Sequence, residues 1–143
     1  MNYFKKVESM LNDYGRTKAE IKNIHIEIEE VKNDYTGCGS ISYEERPAPT
    51  NSFNSRVENE TIAKDMKLEQ LNRLLRQKEL QIEKIDNALG LLDEDAAQLI
   101  KLRYFDKLPF RLIGDRMNRN YNSCERSKKD IVNKLTEIIF ILQ

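Results

Sequence analysis

The stretch Pro109–Leu135, PFRLIGDRMNRNYNSCERSKKDIVNKL, has the pattern of two helices joined by a tight turn. In its first half, three apolar residues recur at helical spacing, namely Phe110, Ile113 and Met117. Pro109 suits a first helical position, because the N–H that proline lacks would have no partner there. Gly114 lies inside this predicted helix, where glycine costs about 1 kcal/mol relative to alanine. We therefore expect a second helix to approach Gly114 closely.

The second half of the stretch predicts a helix with a small apolar face and a polar, basic face. Asn118-Arg119-Asn120 interrupts the helical pattern, and Asn120 is suited to cap the helix that follows. The predicted inner face consists of Cys124, Ser127, Ile131 and Leu135. The predicted outer face carries Tyr121, Asn122, Ser123, Glu125, Arg126, Lys128 and Lys129. A helix with these two faces is suited to enter the major groove of duplex DNA.

The distribution of charge supports this interpretation. The whole chain has 24 basic and 24 acidic residues, so its net charge is zero. Residues 107–134 nevertheless contain eight basic and three acidic residues, a local charge of +5 that the remaining chain balances. Asn122 and Arg126 have the side chains best shaped for bidentate contacts to adenine and guanine edges. The candidates for phosphate contacts, which position a helix without reading sequence, are Arg111, Arg116, Arg119, Lys128 and Lys129.

The same residues resemble region 4 of bacterial sigma factors, a helix-turn-helix that reads the −35 promoter element. The resemblance lies in Phe110-x-x-Ile113-Gly114-x-x-Met117, a turn, Cys124 and Lys134-Leu135. Upstream, the segment from Leu92 to Phe105 is similar to the supporting helix of that region. The resemblance implies that base and phosphate contacts are made by Tyr121, Asn122, Ser123, Glu125 and Arg126. Asn120, at the start of the same predicted helix, is also a candidate DNA-binding residue.

A second resemblance concerns the whole chain. The segment Ile41–Ile62, ISYEERPAPTNSFNSRVENETI, lies between two predicted helices and resembles phage late-gene transcriptional regulators of the ArpU/RinA type. This resemblance implies a sequence-specific, DNA-binding activator of phage or prophage late genes. Nothing in the chain resembles the sigma region that recognises and melts the −10 element, so we expect a region-4-like module rather than a complete sigma factor.

Two heptad patterns precede the stretch and predict a coiled coil. Apolar residues alternate at intervals of four and three from Tyr3 to Tyr35, with Thr17 filling one position. The same alternation runs from Leu68 to Leu92, with Lys78 at one seam position. Residues 36–60 between them are rich in Gly, Pro, Ser and Asn and predict a loop, with Ser55 or Asn59 capping the second helix. We predict an all-α fold with an antiparallel coiled-coil hairpin over residues 1–91 and a helix-turn-helix domain over residues 92–143.

The sequence argues against several other classes of protein. Cys38 and Cys124 belong to no CxxC or Cys/His cluster, so we expect no metal site and no cofactor. No carboxylate pair has a base or nucleophile near it in sequence, so we expect no enzyme. The N-terminal residues lack the apolar run of a signal peptide, and no apolar run is long enough for a membrane span. We therefore expect a protein of the bacterial cytoplasm.

The expected partners are promoter DNA, RNA polymerase and a second copy of the chain bound through the coiled coil. Specific binding by a single helix-turn-helix usually needs a dimer or a larger complex. The apolar run Ile138–Leu142 is expected to pack back on the helices or to meet a partner. Two alternatives stay open at this point: a phage small terminase subunit, which marks DNA for packaging, and a coiled-coil interaction protein that binds no DNA.

Overall fold

The computed structural model describes residues 2–37 and 50–142, and all regular structure in these residues is helical. This confirms the predicted all-α fold class. Among the described helices, none is both long enough and apolar enough to cross a membrane. The helices are α1 (Tyr3–Asn12), α2 (Tyr14–Gly37), α3 (Thr50–Gly90), α4 (Glu94–Ile100), which continues into a π-helical segment (Lys101–Phe105), α5 (Phe110–Met117) and α6 (Tyr121–Ile139).

The first heptad pattern predicted one helix, but the structure has two, which meet at Asp13. Asp13 has φ −90° and ψ 2° and so leaves the helical region. Its N–H donates to the Ser9 carbonyl at 2.9 Å, and its own carbonyl accepts from the Thr17 N–H at 2.8 Å. The hydrogen bonding therefore continues across the break. Asp and Gly are both weak helix formers, and the sequence Asp13-Tyr14-Gly15 places one of each at this point.

The predicted loop over residues 36–60 is wrong at both ends. Helix α2 continues to Gly37, and α3 begins at Thr50, before the predicted caps Ser55 and Asn59. The turn-favouring Ser and Asn residues of this segment cost at most about 0.7 kcal/mol each in a helix, so their propensity is a weak guide. Residues 38–49, including Cys38, lie outside the described residues.

The chain divides into two compact units, Ala19–Glu79 and the combination of Met1–Lys18 with Leu80–Gln143. The second of these is called the C-terminal unit below. The predicted boundary at residue 91 does not coincide with this division, because α1 and the end of α3 pack with the C-terminal helices.

In the Ala19–Glu79 unit, α2 and α3 run in opposite directions along a shared apolar cluster. Five predicted seam residues are buried in this cluster: Ile24, Ile28, Val31, Leu71 and Leu75. Lys78, the charged seam residue, forms an ion pair with Glu20 at the end of the cluster. Both side chains are only about one third exposed, at 27% and 33%. The charge at this seam position is therefore neutralised by the facing helix.

The C-terminal unit has a single core to which every one of its helices contributes. Its largest fully buried side chains come from α1, α3, α4, α5 and α6: Val7, Leu11, Ile85, Leu99, Ile100, Ile113, Cys124, Val132 and Leu135. Asp93 caps α4, because its side-chain oxygen accepts from the Ala96 N–H at 2.8 Å. The π-helical segment widens the helix by one residue, and the Asp106 N–H donates to the Lys101 carbonyl at 2.9 Å.

The connection between α5 and α6 is three residues long and very close to Gly114. Pro109 was predicted to be the first helical residue of α5, but it is the N-cap, and the helix begins at Phe110. Asn120 is the N-cap of α6, as predicted. Asn118 has φ 52° and ψ 45°, so α5 ends in the left-handed region that asparagine tolerates. A Cβ atom on Gly114 would lie 2.6 Å from the Arg119 carbonyl oxygen. The close approach that Gly114 permits is thus made by the connection backbone, not by the face of a second helix.

These contacts predict opposite effects of alanine at two glycines. Gly114→Ala should destabilise the protein by about 1–3 kcal/mol, because the added methyl group would overlap the Arg119 carbonyl oxygen and the backbone would have to shift. Gly15→Ala should stabilise it by about 0.5–1 kcal/mol, because no atom lies within 4 Å of its Cβ position. Urea unfolding of both variants and the wild type measures the two changes. Equal effects at the two positions would contradict the structure.

Candidate nucleic-acid interface

Helix α6 has one face in the core of the C-terminal unit and the opposite face in solvent. Cys124, Leu135 and Val132 are fully buried, and Ile131 and Ile139 are nearly so. On the exposed side of the helix, four residues follow helical spacing of four, three and four: Asn122, Arg126, Lys129 and Asn133. All four are exposed, and we call them the outer stripe. The buried face therefore determines which side chains of α6 a partner molecule can reach.

Three side chains of the outer stripe are available for binding. Within the described part of the chain, the side chains of Asn122, Arg126 and Lys129 have no hydrogen-bond or ion-pair partner. The N–H of Asn122 donates to the Asn120 side chain at 3.2 Å, which leaves the Asn122 amide free. An amide and two cations on one helical face can bind base edges and phosphates.

The start of α6 is fixed against α5 by two aromatic rings. The Tyr121 ring stands edge-on to the Phe110 ring, with centroids 5.8 Å apart and planes at 83°. Tyr121 is still half exposed, next to the exposed Asn122. The Arg103 guanidinium lies over the Phe110 ring, 4.2 Å from its centroid, and donates to the Leu108 carbonyl at 3.2 Å. These contacts hold the first turn of α6 in place.

Arg119 was predicted to contact phosphate, but in the structure its side chain binds two residues of the same unit. Its guanidinium donates to the Ser123 hydroxyl at 3.0 Å and to the Ser127 hydroxyl at 2.6 Å. Both serines lie on α6, so Arg119 ties the connection to the first two turns of that helix. Ser123, which was predicted to contact DNA, is also engaged in this way. We assign both residues a positioning role.

Lys128, another predicted phosphate contact, also faces inward. Its Nζ donates to Glu8 Oε1 at 2.9 Å, and its side chain is only 13% exposed. The Tyr104 hydroxyl donates to the same oxygen at 2.7 Å. Glu8 thus joins α1, the π-helical segment and α6. No local pattern predicts this contact, because Glu8 lies 120 residues before Lys128.

We call Glu8, Tyr104 and Lys128 the Glu8 cluster, and their contacts shift the pKa values of Glu8 and Tyr104. Burial raises the pKa of the Glu8 carboxyl, but the hydrogen bonds from Tyr104 and Lys128 outweigh burial and hold it below the ordinary 4.5. Burial and the Glu8 charge raise the pKa of the Tyr104 hydroxyl. At neutral pH, Glu8 is therefore a carboxylate that neutralises Lys128.

The remaining predicted contacts are all accessible to some degree. Arg111 and Arg116 on α5 are exposed, as is the capping residue Asn120. Glu125 is half-buried, and it lies one helical turn after Tyr121 and directly before Arg126. Arg119, Ser123 and Lys128 are half-buried and make contacts within the unit. The other predicted contact residues stay accessible, namely Arg111, Arg116, Asn120, Tyr121, Asn122, Glu125, Arg126 and Lys129.

The chain belongs to the family described as protein of unknown function (DUF722), whose profile matches residues 3–137. No curated protein and no solved structure matches the chain. The family match spans both compact units and includes all of the outer stripe.

The Glu8 cluster predicts a stability that depends on pH. Because folding lowers the pKa of Glu8, its stabilising effect should be complete above about pH 4.5 and should be lost as the pH falls further. Glu8→Gln should lower the free energy of unfolding at pH 7 by about 1–3 kcal/mol, and this deficit should shrink below pH 4.5. Denaturant unfolding of the wild type and Glu8→Gln between pH 7 and pH 3 measures the deficit.

The matched control is Lys129→Ala, which changes the exposed neighbour of Lys128. It should alter stability by no more than about 0.5 kcal/mol at any pH. A deficit for Glu8→Gln that stays constant from pH 7 to pH 3 would show that the carboxylate charge does not contribute.

Proposed function

We propose that this protein is a sequence-specific, duplex-DNA-binding transcriptional activator that acts on late genes of a phage or prophage. In this proposal, α6 enters the major groove of promoter DNA, and α5 lies against the DNA phosphate backbone. RNA polymerase is the proposed protein partner, as the resemblance to region 4 of sigma factors implies. The C-terminal unit then reads DNA, and the Ala19–Glu79 unit binds protein.

The observation that carries the proposal is the outer stripe of α6. Its Asn122 and Arg126 are one helical turn apart, exposed, and free of partners within the described residues. Asparagine pairs with two atoms of adenine, and arginine with two atoms of guanine, on the edges that the major groove displays. Lys129 continues the stripe and supplies a positive charge for a phosphate.

The flanking residues support the same placement. Arg111 and Arg116 on α5 are exposed and carry charges suited to the DNA backbone on either side of the groove. The rigid start of α6 also favours recognition, because a contact to a base edge needs a side chain held in a defined position. Arg119 and the two serines that it binds supply that rigidity rather than a DNA contact.

The antiparallel helices of the Ala19–Glu79 unit are the proposed surface for protein partners. This unit contains no part of the outer stripe, and its surface away from the seam is largely charged. The proposed roles of this surface are contact with RNA polymerase and pairing with the same surface of a second copy. Neither role needs a residue of α6.

The test is a comparison of two double variants that remove the same side chains from different helices. Asn122→Ala with Arg126→Ala alters the outer stripe. The chain offers a matched control on α3, where Asn72 and Arg76 have the same spacing and are also exposed. Genomic DNA bound by each purified protein is captured and sequenced, and affinity for the enriched duplex is then measured by fluorescence anisotropy at several salt concentrations.

We expect the wild type and the α3 control to enrich a few discrete sites upstream of transcription units. The α6 variant should lose these sites, with affinity reduced roughly a hundredfold or more, because each bidentate pair contributes about 1–3 kcal/mol. Its residual binding should remain salt-dependent, since Arg111, Arg116 and Lys129 persist.

Other outcomes would contradict the proposal. Enrichment confined to one packaging site would identify a terminase-like protein instead of an activator. No enrichment by the folded wild type would leave a protein-interaction role and would overturn DNA binding. Equal losses in both double variants would show that α6 is not the reading element.

A further inference from the structure

Glu125 is an acidic side chain on a part of α6 that is otherwise neutral or basic. It is the only acidic residue of the segment 121–129. It lies one helical turn after Tyr121 and directly before Arg126, and it is half-buried. The DNA contacts proposed above for the outer stripe do not use it. An acidic side chain at this position therefore needs its own explanation.

The Glu125 carboxylate has no hydrogen-bond or ion-pair partner within the described part of the chain. Two lysines follow it at the spacings that allow ion pairs along a helix, Lys128 and Lys129. Lys128 binds Glu8 instead, at 2.9 Å, and Lys129 makes no ion pair in the same part of the chain. A half-buried carboxylate has lost part of its hydration, so a donor on a bound molecule would stabilise it.

Duplex DNA offers such a donor at only some of its bases. The phosphates repel a carboxylate, so an acidic side chain on a DNA-facing helix lowers affinity unless it meets a donor. In the major groove, guanine presents two acceptors, thymine an acceptor and a methyl group, and adenine an acceptor beside its amino group. Cytosine alone presents an amino donor without an acceptor beside it. A carboxylate, which only accepts, therefore favours cytosine over the other three bases.

Helical spacing indicates where that cytosine lies relative to the other bases. Asn122 and Arg126 are four residues apart, which is about 6 Å along the helix axis. The rise of duplex DNA is about 3.4 Å per base pair, so the adenine and the guanine that these two side chains match lie about two base pairs apart. Glu125 and Arg126 are neighbours whose side chains point in different directions, so they meet different bases. The cytosine is therefore in the same base pair as the guanine or in the next one.

We infer that Glu125 is a specificity-determining residue that accepts a hydrogen bond from the amino group of a cytosine, in the base pair that Arg126 contacts or in the next one. This inference rests on the proposed function, because it needs α6 in the major groove. It gives Glu125 a role unlike that of Arg126. The arginine adds affinity as well as discrimination, whereas the carboxylate adds discrimination and lowers affinity for DNA that lacks the cytosine.

The test is selection from a randomised duplex library with the full-length wild type and Glu125→Gln. Glutamine has nearly the same shape as glutamate, but its amide matches adenine rather than cytosine. The base at one position of the selected sequence should change from cytosine to adenine, and the other positions should stay the same. Fluorescence anisotropy on duplexes that differ only at this position should show each protein preferring its own base roughly fivefold or more. The variant should also bind unrelated duplex more tightly, because it has lost a negative charge.

The matched control is Glu137→Gln, which removes the same charge from an exposed position twelve residues further along α6. It should leave the selected sequence unchanged, so it separates contact with a base from a general effect of charge. Circular dichroism melting curves show that each variant is folded. A second measurement needs no variant. Replacing the cytosine of the selected duplex by thymine, which presents an acceptor, should weaken binding of the wild type roughly fivefold or more.

Three results would overturn the inference. If Glu125→Gln selects the same sequence as the wild type, the carboxylate contacts no base, although DNA binding by α6 still stands. If Glu125→Gln and Glu137→Gln change the selection alike, the effect is one of charge alone. If the folded wild type selects no sequence, the proposed function fails and this inference fails with it. The first two results are thus distinct from a failure of the proposed function.

Discussion

The burial of one face of α6 is the constraint on which the rest of the C-terminal unit depends. Cys124 and Leu135 are both fully buried, eleven residues apart, so the helix is fixed along three turns. A rotation of α6 about its axis would expose these side chains and bury charged ones, at a cost of several kcal/mol. The outer stripe is therefore determined by apolar packing on the opposite side of the same helix.

Two polar contacts, made by Arg119 and by Lys128, add to the apolar packing that fixes the position of α6. Arg119 binds two hydroxyls on α6 and holds the connection at a fixed distance from that helix. The charge of Lys128 is neutralised by Glu8. This basic residue next to the outer stripe therefore contributes to stability and not to the surface potential. A count of basic residues in the sequence consequently overstates the charge available to a phosphate backbone. The basic residues of the segment 107–134 that are exposed are Lys107, Arg111, Arg116, Arg126, Lys129 and Lys134.

The sequence predicted the elements whose signals are local. The all-α class, the α5–α6 pair and the cap at Asn120 follow from periodicity and from residue preferences at helix ends, and the structure confirms them. The start of α3 could not be predicted, because Ser and Asn favour turns only weakly and a long helix overrides them. The inward positions of Arg119 and Lys128 could not be predicted either, since an arginine or lysine on a helix shows its partner only in three dimensions. Glu8, the partner of Lys128, lies at the opposite end of the chain.

This long-range contact explains why the division of the chain differs from the one that the sequence suggested. A cut at residue 91 would appear natural, since Gly90 ends α3 and Asp93 caps α4. Such a fragment would lose Val7 and Leu11, both fully buried in the core, and would leave a cavity where α1 had been. It would also lose Glu8 and leave the largely buried ammonium group of Lys128 without its carboxylate, which is costly. The surface of α6 is therefore a property of both ends of the chain, and α1 is as much a part of its support as α5.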